Sequence, residues 1–268
     1  MIRPVLYARL GDNSFSGIGV PEALWRPLMY TKIMHKRILL KLSGEQLQGE
    51  HTSGFDTERA TWIAHQVKEA VDAGAQVIIM VGGGNYARGA QLANEKIQRI
   101  TGDYVGMLAT MMNALTLADV FNSEGVDTRA LSNVKADQVL DQFTHRRAMS
   151  HLIKRRVVIV AGGTGRPFLT TDTAAVNLAL ELACDVVVKT TKVDGVYSAD
   201  PTKDPTATKF DRITYDQALA DPAITVMDKA ALGLAMEQHI PVIVCELLTD
   251  GNIARAASGE SVGTIIED

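Results

Sequence analysis

The chain has 268 residues, 46% of them hydrophobic and 22% charged, with a formal net charge of −4. That length can bury a sizeable core in one large or two small domains, and the composition is ordinary for a soluble globular protein. The slight acidity offers no whole-chain case for a nucleic-acid partner, yet it leaves room for an anionic small ligand in a locally positive site. Two cysteines, Cys184 and Cys245, each lie inside an apolar run. They read as buried free thiols of a reducing compartment, not as a disulfide or metal site. No apolar run is expected to reach the ~20 residues of a membrane span.

Residues 1–35 differ from the rest: glycine and proline are scattered and no period is sustained. The stretch carries arginines but lacks a long apolar segment followed by a clean cleavage site, so a targeting peptide is disfavoured. It is read as a poorly ordered extension, or as the product of an upstream start codon with Met29 or Met34 nearer the beginning. The fold is expected in residues 36–268.

From Lys36 strand and helix alternate. KRILLKL (36–42) is a strand ending at Ser43-Gly44. Ala60, Ile63, Ala64, Val67, Ala70 and Val71 then recur at helical spacing, with Asp56 as N-cap and Gly74 as stop. AQVIIMV (75–81) is a second apolar strand breaking at a triple glycine. Tyr104, Met107, Leu108, Met111 and Leu115 mark a helix that begins just after Asp103, its methionines filling core. RRVVIVA (155–161) is a strand running into AGGTGRPFLTTDTAA, in which Thr171 or Asp172 caps a helix with Ala175, Leu178, Ala179 and Leu182 on its apolar face. DVVVK (185–189) is a further strand, Asp228 opens a helix through Ala231, Leu234 and Ala235, and PVIVCEL (241–247) is a late strand. Continuous apolar strands alternating with helices imply a three-layer α/β/α domain with a largely parallel central sheet.

Ligands of such sheets sit beyond the carboxyl ends of the strands. Ser43-Gly44, Gly82 to Gly84, Gly162 to Asp172 and Lys189 to Asp200 all fall there. The chain has no GxxxxGK[ST] phosphate loop. VGGGNYA does fit a dinucleotide fingerprint, with Asp103 about 20 residues on. However, the polar EKIQRITG before Asp103 does not resemble the strand whose end should hold that acid, so the match lacks its context. The triple glycine is either a tight strand-to-loop turn or an anion cradle in which backbone N–H groups approach phosphate closely. Arg88, able to reach back to the same anion, favours the cradle. Lys41 and Lys189 end two buried strands. Each is either a solvent-facing edge residue or a cation aimed at a ligand. With Arg88 they would surround a polyanion, which is chemically sufficient for phosphoryl transfer with Mg²⁺. No Ser-His-Asp or Cys-His set is evident and the histidines lack metal-ligand spacing, so no protein metal site is assigned; His145 and His151 read as a solvated helix face.

Taken together, KRILLKLSGE, VGGGNYARG, TGDYVGMLAT, AGGTGRPFLTTDTAA and KTTKVDGVYSADPTKDPTA, in this order and spacing, resemble the bacterial uridylate (UMP) kinases of the amino-acid kinase fold, from Lys36 to the C-terminus. The resemblance implies transfer of the ATP γ-phosphoryl group to UMP in pyrimidine nucleotide synthesis, Mg²⁺ carried with ATP, a cytoplasmic homohexamer, GTP activation and UTP inhibition. It implies that Lys41, Leu42, Ser43 and Gly44 hold ATP phosphates, with Lys41 on the transferring group. It further places Gly84 on ATP, Gly83 on UMP, and Arg88 between phosphates. Asp103, at a helix start, would meet the UMP ribose. Thr164, Gly165, Arg166, Pro167, Phe168, Leu169, Thr170 and Thr171 would wrap the nucleotide, Thr171 nearest its phosphate. Thr191, Tyr197 and Asp200 would line the adenine and ribose side. Asp172 and Asp228 would orient lysines or Mg²⁺, unless they are simply helix caps. Arg129 and Asp119 fall where the family places inter-subunit contacts.

One position departs from the family pattern. Arg166 stands where asparagine is usual, and a guanidinium donates but cannot accept a hydrogen bond. Nucleotide specificity is thereby opened: the alternatives are a kinase of the same fold acting on another small phosphate or carboxylate, and a non-catalytic nucleotide-binding protein.

Overall fold

The apolar run after Lys36 forms strand β1 (Arg37–Leu42), ending at Ser43-Gly44 as its composition predicts. The computed structural model describes residues 35–268. The N-terminal stretch set apart above lies, but for His35, outside the described residues. A short 3₁₀ turn (Gly44–Gln46) follows β1 and is closed by a capping box between Ser43 and Gln46. Helix α1 (Thr57–Asp72) starts where expected, because the Asp56 carboxylate accepts from the Arg59 N–H at 2.8 Å.

Next come β2 (Gln76–Val81), the short α2 (Gly89–Leu92), α3 (Arg99–Ser123), β3 (Thr128–Ser132), β4 (Asp141–Gln142), α4 (His145–Ile153) and β5 (Val157–Ala161). The second half runs α5 (Thr171–Glu181), β6 (Val186–Thr191), β7 (Val196–Tyr197), β8 (Lys209–Phe210), β9 (Arg212–Thr214), α6 (Tyr215–Ala220), α7 (Lys229–Glu237), β10 (Val242–Glu246), α8 (Asn252–Ala257) and β11 (Thr264–Glu267). Nine strands form one sheet in the order β4-β3-β5-β2-β1-β6-β10-β11-β9, with β7 and β8 a separate hairpin. All neighbours in the large sheet are parallel except β10 and β11.

Strand alternation divides the core between the faces. Ile38, Leu40, Leu42, Ile79, Val81 and Val188 pack with α1, α3 and α8. Leu39, Ile78, Met80, Val187 and Val244 pack with α4, α5, α6 and α7. The three-layer α/β/α reading therefore holds. Cys245 is buried and Cys184 half-buried, both free. Burial pushes each thiol up to about 12, which leaves them protonated and unreactive near neutrality.

Four local expectations are corrected. Helix α3 begins at Arg99, so Asp103 lies within its second turn and not at its start. Gln98, the N-cap residue, makes no side-chain capping bond. Backbone contact between α2 and α3 occurs here instead: a Cβ on Gly89 would lie 2.5 Å from the Gly102 carbonyl oxygen. On the same helix Met107 and Met111 are buried as predicted, but Tyr104, Leu108 and Leu115 are exposed. Helix α5 is capped by Thr170, whose hydroxyl accepts from the Asp172 N–H at 3.0 Å, and not by Thr171 or Asp172. Finally, α3 is, by length and composition, the one described helix long and apolar enough to cross a membrane, where none was expected. Its Thr110 and Asn113 are buried and hydrogen-bonded to the strand-end loops, which marks it as a core helix.

Candidate active site

Register brings the strand-end lysines together. β1 and β6 are adjacent and parallel, with Lys41 opposite Lys189. Residues paired in this way project from the same face. Both follow Leu39 and Val187 onto the side covered by α5. β1 is the fifth of nine strands, so Lys41 is no edge residue, and it is only 8% exposed.

Asp172, in the first turn of α5, lies between them. Its Oδ1 is 2.6 Å from Lys41 Nζ, and its Oδ2 accepts from Lys189 Nζ at 2.5 Å. The Lys41 contact is ionic and poorly aligned, so Oδ1 has no directional donor among the described residues. Asp172 and Lys189 are 8% and 9% exposed. Burial alone would raise the Asp172 carboxyl, but the two ammonium groups outweigh it and hold it below its ordinary value. Burial, seconded by repulsion from Lys41, lowers Lys189 despite the attraction of Asp172. The cluster carries one surplus positive charge at the mouth of the sheet.

The helix-cap alternative for Asp172 is thus removed, whereas Asp228 is a cap. Its carboxylate accepts from the Ala231 N–H at 2.8 Å and from the hydroxyls of Thr170 and Thr173, tying the start of α7 to the start of α5.

Beside this cluster opens a cleft of about 420 Å³. Of the residues singled out in the sequence, Lys41, Ser43, Gly44, Gly83, Gly84, Arg88, Asp103, Thr164, Leu169, Thr170 and Thr171 line it. The glycines allow backbones to meet: a Cβ on Gly44 would lie 2.6 Å from the Gly84 nitrogen, and one on Gly83 would lie 2.8 Å from the Gly106 carbonyl oxygen. The glycine run thus makes a tight turn whose backbone faces the cleft. Arg88 pairs with Glu45, a partner the sequence did not indicate, and Lys192 approaches the same carboxylate at 4.0 Å.

Asp103 accepts from Arg99 Nε at 2.8 Å and from the Phe168 N–H at 2.8 Å. It thereby joins α3 to the loop after β5, and the Arg99 guanidinium sits 5.7 Å from the Phe168 ring centre. Asp103 inside a helix also excludes the dinucleotide fingerprint, which requires an acid at a strand end.

Other expected site residues lie outside the cleft lining. Leu42 is fully buried in the core, and only its carbonyl takes part, accepting from the Gly82 N–H at 2.8 Å. Gly165, Arg166, Pro167 and Phe168 form the outer part of their loop; Phe168 is 62% exposed. Arg166 is exposed, and its side chain has no hydrogen bond or ion pair among the described residues. Thr191 ends β6 and bonds locally to Val193. The Tyr197 hydroxyl donates to Asp194 at 2.5 Å in the hairpin, and Asp200 closes its own turn through Thr202.

Residues that the sequence reading missed also build the site, although Ser43-x-x-Gln46 carries the signature of a capping box. Gln46 accepts from Ser43 N and Thr190 Oγ1, each at 3.0 Å, and donates to the Thr191 carbonyl at 3.2 Å. It locks the turn after β1 against β6. Thr110 of α3 accepts from the Gly162 N–H at 2.7 Å and lines the cleft.

A parallel α/β sheet with buried cations, a glycine cradle and the N-terminus of α5 around one cleft defines a phosphate-handling α/β protein. The model of the amino acid kinase family matches residues 36–246. The chain is 45% identical to the uridylate kinase of Methylococcus capsulatus over 236 residues, covering 88% of this chain and 98% of that protein. Among solved structures it is similar to the UMP kinase of Bacillus anthracis, with a TM-score of 0.83 and 34% identity over 88% of this chain and 97% of that one. It is likewise similar to the UMP kinase of Ureaplasma parvum, with a TM-score of 0.81 and 30% identity over 87% and 99%. The chain belongs to the amino acid kinase family.

Proposed function

We propose that this chain is a UMP kinase, transferring the γ-phosphoryl group of ATP to UMP to give UDP and ADP. The observation that carries the reading is the buried Lys41–Asp172–Lys189 cluster beside the glycine-lined cleft, in a chain 45% identical to a uridylate kinase along nearly its whole length. A UMP phosphate oxygen attacks the γ-phosphorus, the bond to the β–γ bridging oxygen breaks, and that oxygen leaves with ADP. The acceptor is already ionised, so no general base is required. Lys41 and Lys189 offset charge on the transferring group, with Asp172 setting their positions. Arg88 exchanges Glu45 for phosphate. The backbone of Ser43, Gly44 and Gly84 serves ATP, and Gly83 with the 164–171 loop serves UMP, Thr170 and Thr171 presenting the N-terminus of α5 to its phosphate. Asp103, already tied to that loop, keeps an oxygen lone pair for the ribose. Thr191, Tyr197 and Asp200 bound the adenine side.

Among the described residues no group of three or more histidine, cysteine or acidic side chains is placed to hold a metal. Both Asp172 oxygens face lysines. Mg²⁺ would enter with the ATP phosphates and neutralise part of their charge.

The test is ADP release with UMP, CMP, aspartate and acetylglutamate as acceptors. Turnover with UMP alone, abolished by EDTA and restored by Mg²⁺, is expected. Faster turnover with another acceptor would move the reading to a different kinase of the fold, and ATP binding without turnover to a non-catalytic protein. Arg166 bears on the same question. Because its side chain is exposed and unpartnered, Arg166→Asn should change kcat/KM for UMP by less than about twofold, against the ~10-fold that a lost charge-assisted bond gives. A larger rise would mean that Arg166 has altered nucleotide recognition.

The catalytic domain is taken as residues 36–268, in the cytoplasm, acting in pyrimidine nucleotide synthesis. Self-association, as a homohexamer, is supported by the apolar face that α3 leaves exposed: Leu108 is 52% and Met112 48% accessible. Asp119 and Arg129 line one surface depression away from the cleft, a place where GTP and UTP control would act between subunits.

A further inference from the structure

Two asparagines that no substrate would touch are bonded to each other beneath the glycine run. Asn85 and Asn113 are 2% and 0% exposed. Asn85 Nδ2 donates to Asn113 Oδ1 at 2.9 Å, and Asn113 Nδ2 donates back to Asn85 Oδ1 at 2.7 Å. Their remaining protons reach backbone: Asn113 Nδ2 donates to the Gly82 carbonyl at 2.7 Å, and Asn85 Nδ2 to the Gly54 carbonyl at 2.7 Å. The Gly54 N–H returns a bond to the Asn85 carbonyl at 3.0 Å. A Cβ built on Gly44 would lie 2.5 Å from Asn85 Oδ1, so the pair also abuts the turn after β1.

We propose that the Asn85–Asn113 pair is the positioning device of the phosphate cradle, fixing Gly82 to Gly84 against α3 and against the Gly44 turn. The inference rests on the kinase reading above for its effect on rate, though not for its geometry. A run of glycines has the greatest backbone freedom of any sequence, and an oxyanion site works only if its amides are aimed beforehand. The reciprocal amides remove that freedom. Each uses both kinds of hydrogen-bonding atom, so turning either one round would set donor against donor and acceptor against acceptor. The pair is therefore a single-state clamp. It links α3, the glycine run and the loop at Gly54 without itself reaching the cleft.

The experiment compares Asn85→Ala, Asn113→Ala and the double variant by steady-state ADP release with ATP and UMP, and by hydrogen–deuterium exchange. Each single variant should lower kcat by ~10- to 100-fold, the cost of misplacing reacting groups by about an ångström, with both KM values changing far less. The double variant should be no slower than the worse single, because the two act as one unit. Deuterium uptake should rise across residues 82–88 and stay unchanged in β6. Asn113→Asp keeps shape and acceptor but cannot donate to the Gly82 carbonyl, and should show the same local uptake if the alanine variants fold poorly. Unchanged kcat and uptake in folded variants, additive losses, or uptake raised evenly along the chain would overturn the clamp. If the wild-type chain fails to phosphorylate UMP, the acceptor reading falls, and the exchange pattern alone still decides the clamp.

Discussion

Lys41→Ala lowers kcat by ~10²-fold or more, with KM for either nucleotide little altered and the fold intact. The ammonium group lies at the carboxyl end of β1, beside Gly44 and the glycine run, where it lines the cleft and is only 8% exposed. In the loose transition state charge is spread over the outer oxygens of the transferring phosphoryl group, and negative charge builds on the leaving oxygen as its bond stretches. A cation fixed there is worth more in the transition state than in the bound substrates, so its loss falls on kcat. A hundredfold corresponds to about 2.7 kcal/mol. The thermal midpoint separates this from misfolding. Lys189 keeps Asp172 as partner in the variant, and one source of repulsion on Lys189 is gone. Asp172 meanwhile loses the larger of its two attractions, so stability should fall modestly while activity collapses. Lys41→Met, which keeps the apolar stem, should be equally slow. A kcat equal to wild type in either variant would remove Lys41 from the mechanism.

What could be read in the sequence follows how far each signal travels along the chain. β1, β2, β5, β6 and β10 were legible because each is a continuous apolar run, as strands covered on both faces must be. β4, β7, β8 and β9 span two or three residues, too few for any period to emerge. The strand-end lysines were visible as cations in apolar runs, but that they meet depends on β1 and β6 being neighbours, which only the sheet order supplies. Asp172 was ambiguous for a physical reason. A carboxylate at a helix start caps, or pairs with cations, from nearly the same position, and the presence of Thr170 two residues earlier in the capping role decides between them. Gln46, Asn85, Thr110 and Asn113 were missed altogether. The partners that tie them into the site lie 28 to 145 positions away, and an asparagine or glutamine in a loop or helix carries no mark of burial.

Asp172→Asn should cost both stability and activity, and the two losses part company with pH. In the wild-type fold the carboxylate neutralises one of two buried ammonium groups held within 2.6 Å of it. The neutral amide leaves both uncompensated, a change that costs about 3–5 kcal/mol for a buried ionic cluster and on the order of 10 °C in thermal midpoint. Asp172 has its folded pKa below its unfolded value, so its contribution is complete above the unfolded carboxylate pKa and disappears as pH falls through the folded one. At neutral pH the variant shows the full deficit. Lys189, already lowered by burial and by Lys41, is lowered further once Asp172 loses its charge. A lysine with a depressed folded pKa sheds its proton in the fold before it does so unfolded, so the deficit is greatest below that pKa and shrinks as pH rises toward the ordinary lysine value. Differential scanning calorimetry from pH 6 to pH 10 measures this convergence, and parallel melting curves would show that the cluster carries no such charge strain. Activity does not recover with it, since a neutral lysine no longer offsets phosphoryl charge. Adding Lys189→Met to Asp172→Asn removes the second unpaired cation and should restore most of the stability at neutral pH, leaving kcat low. Measured against Lys189→Met alone, a double variant that is no slower would make Asp172 a purely structural counter-ion; one that is slower still makes it the group that holds Lys41 where the phosphoryl group passes.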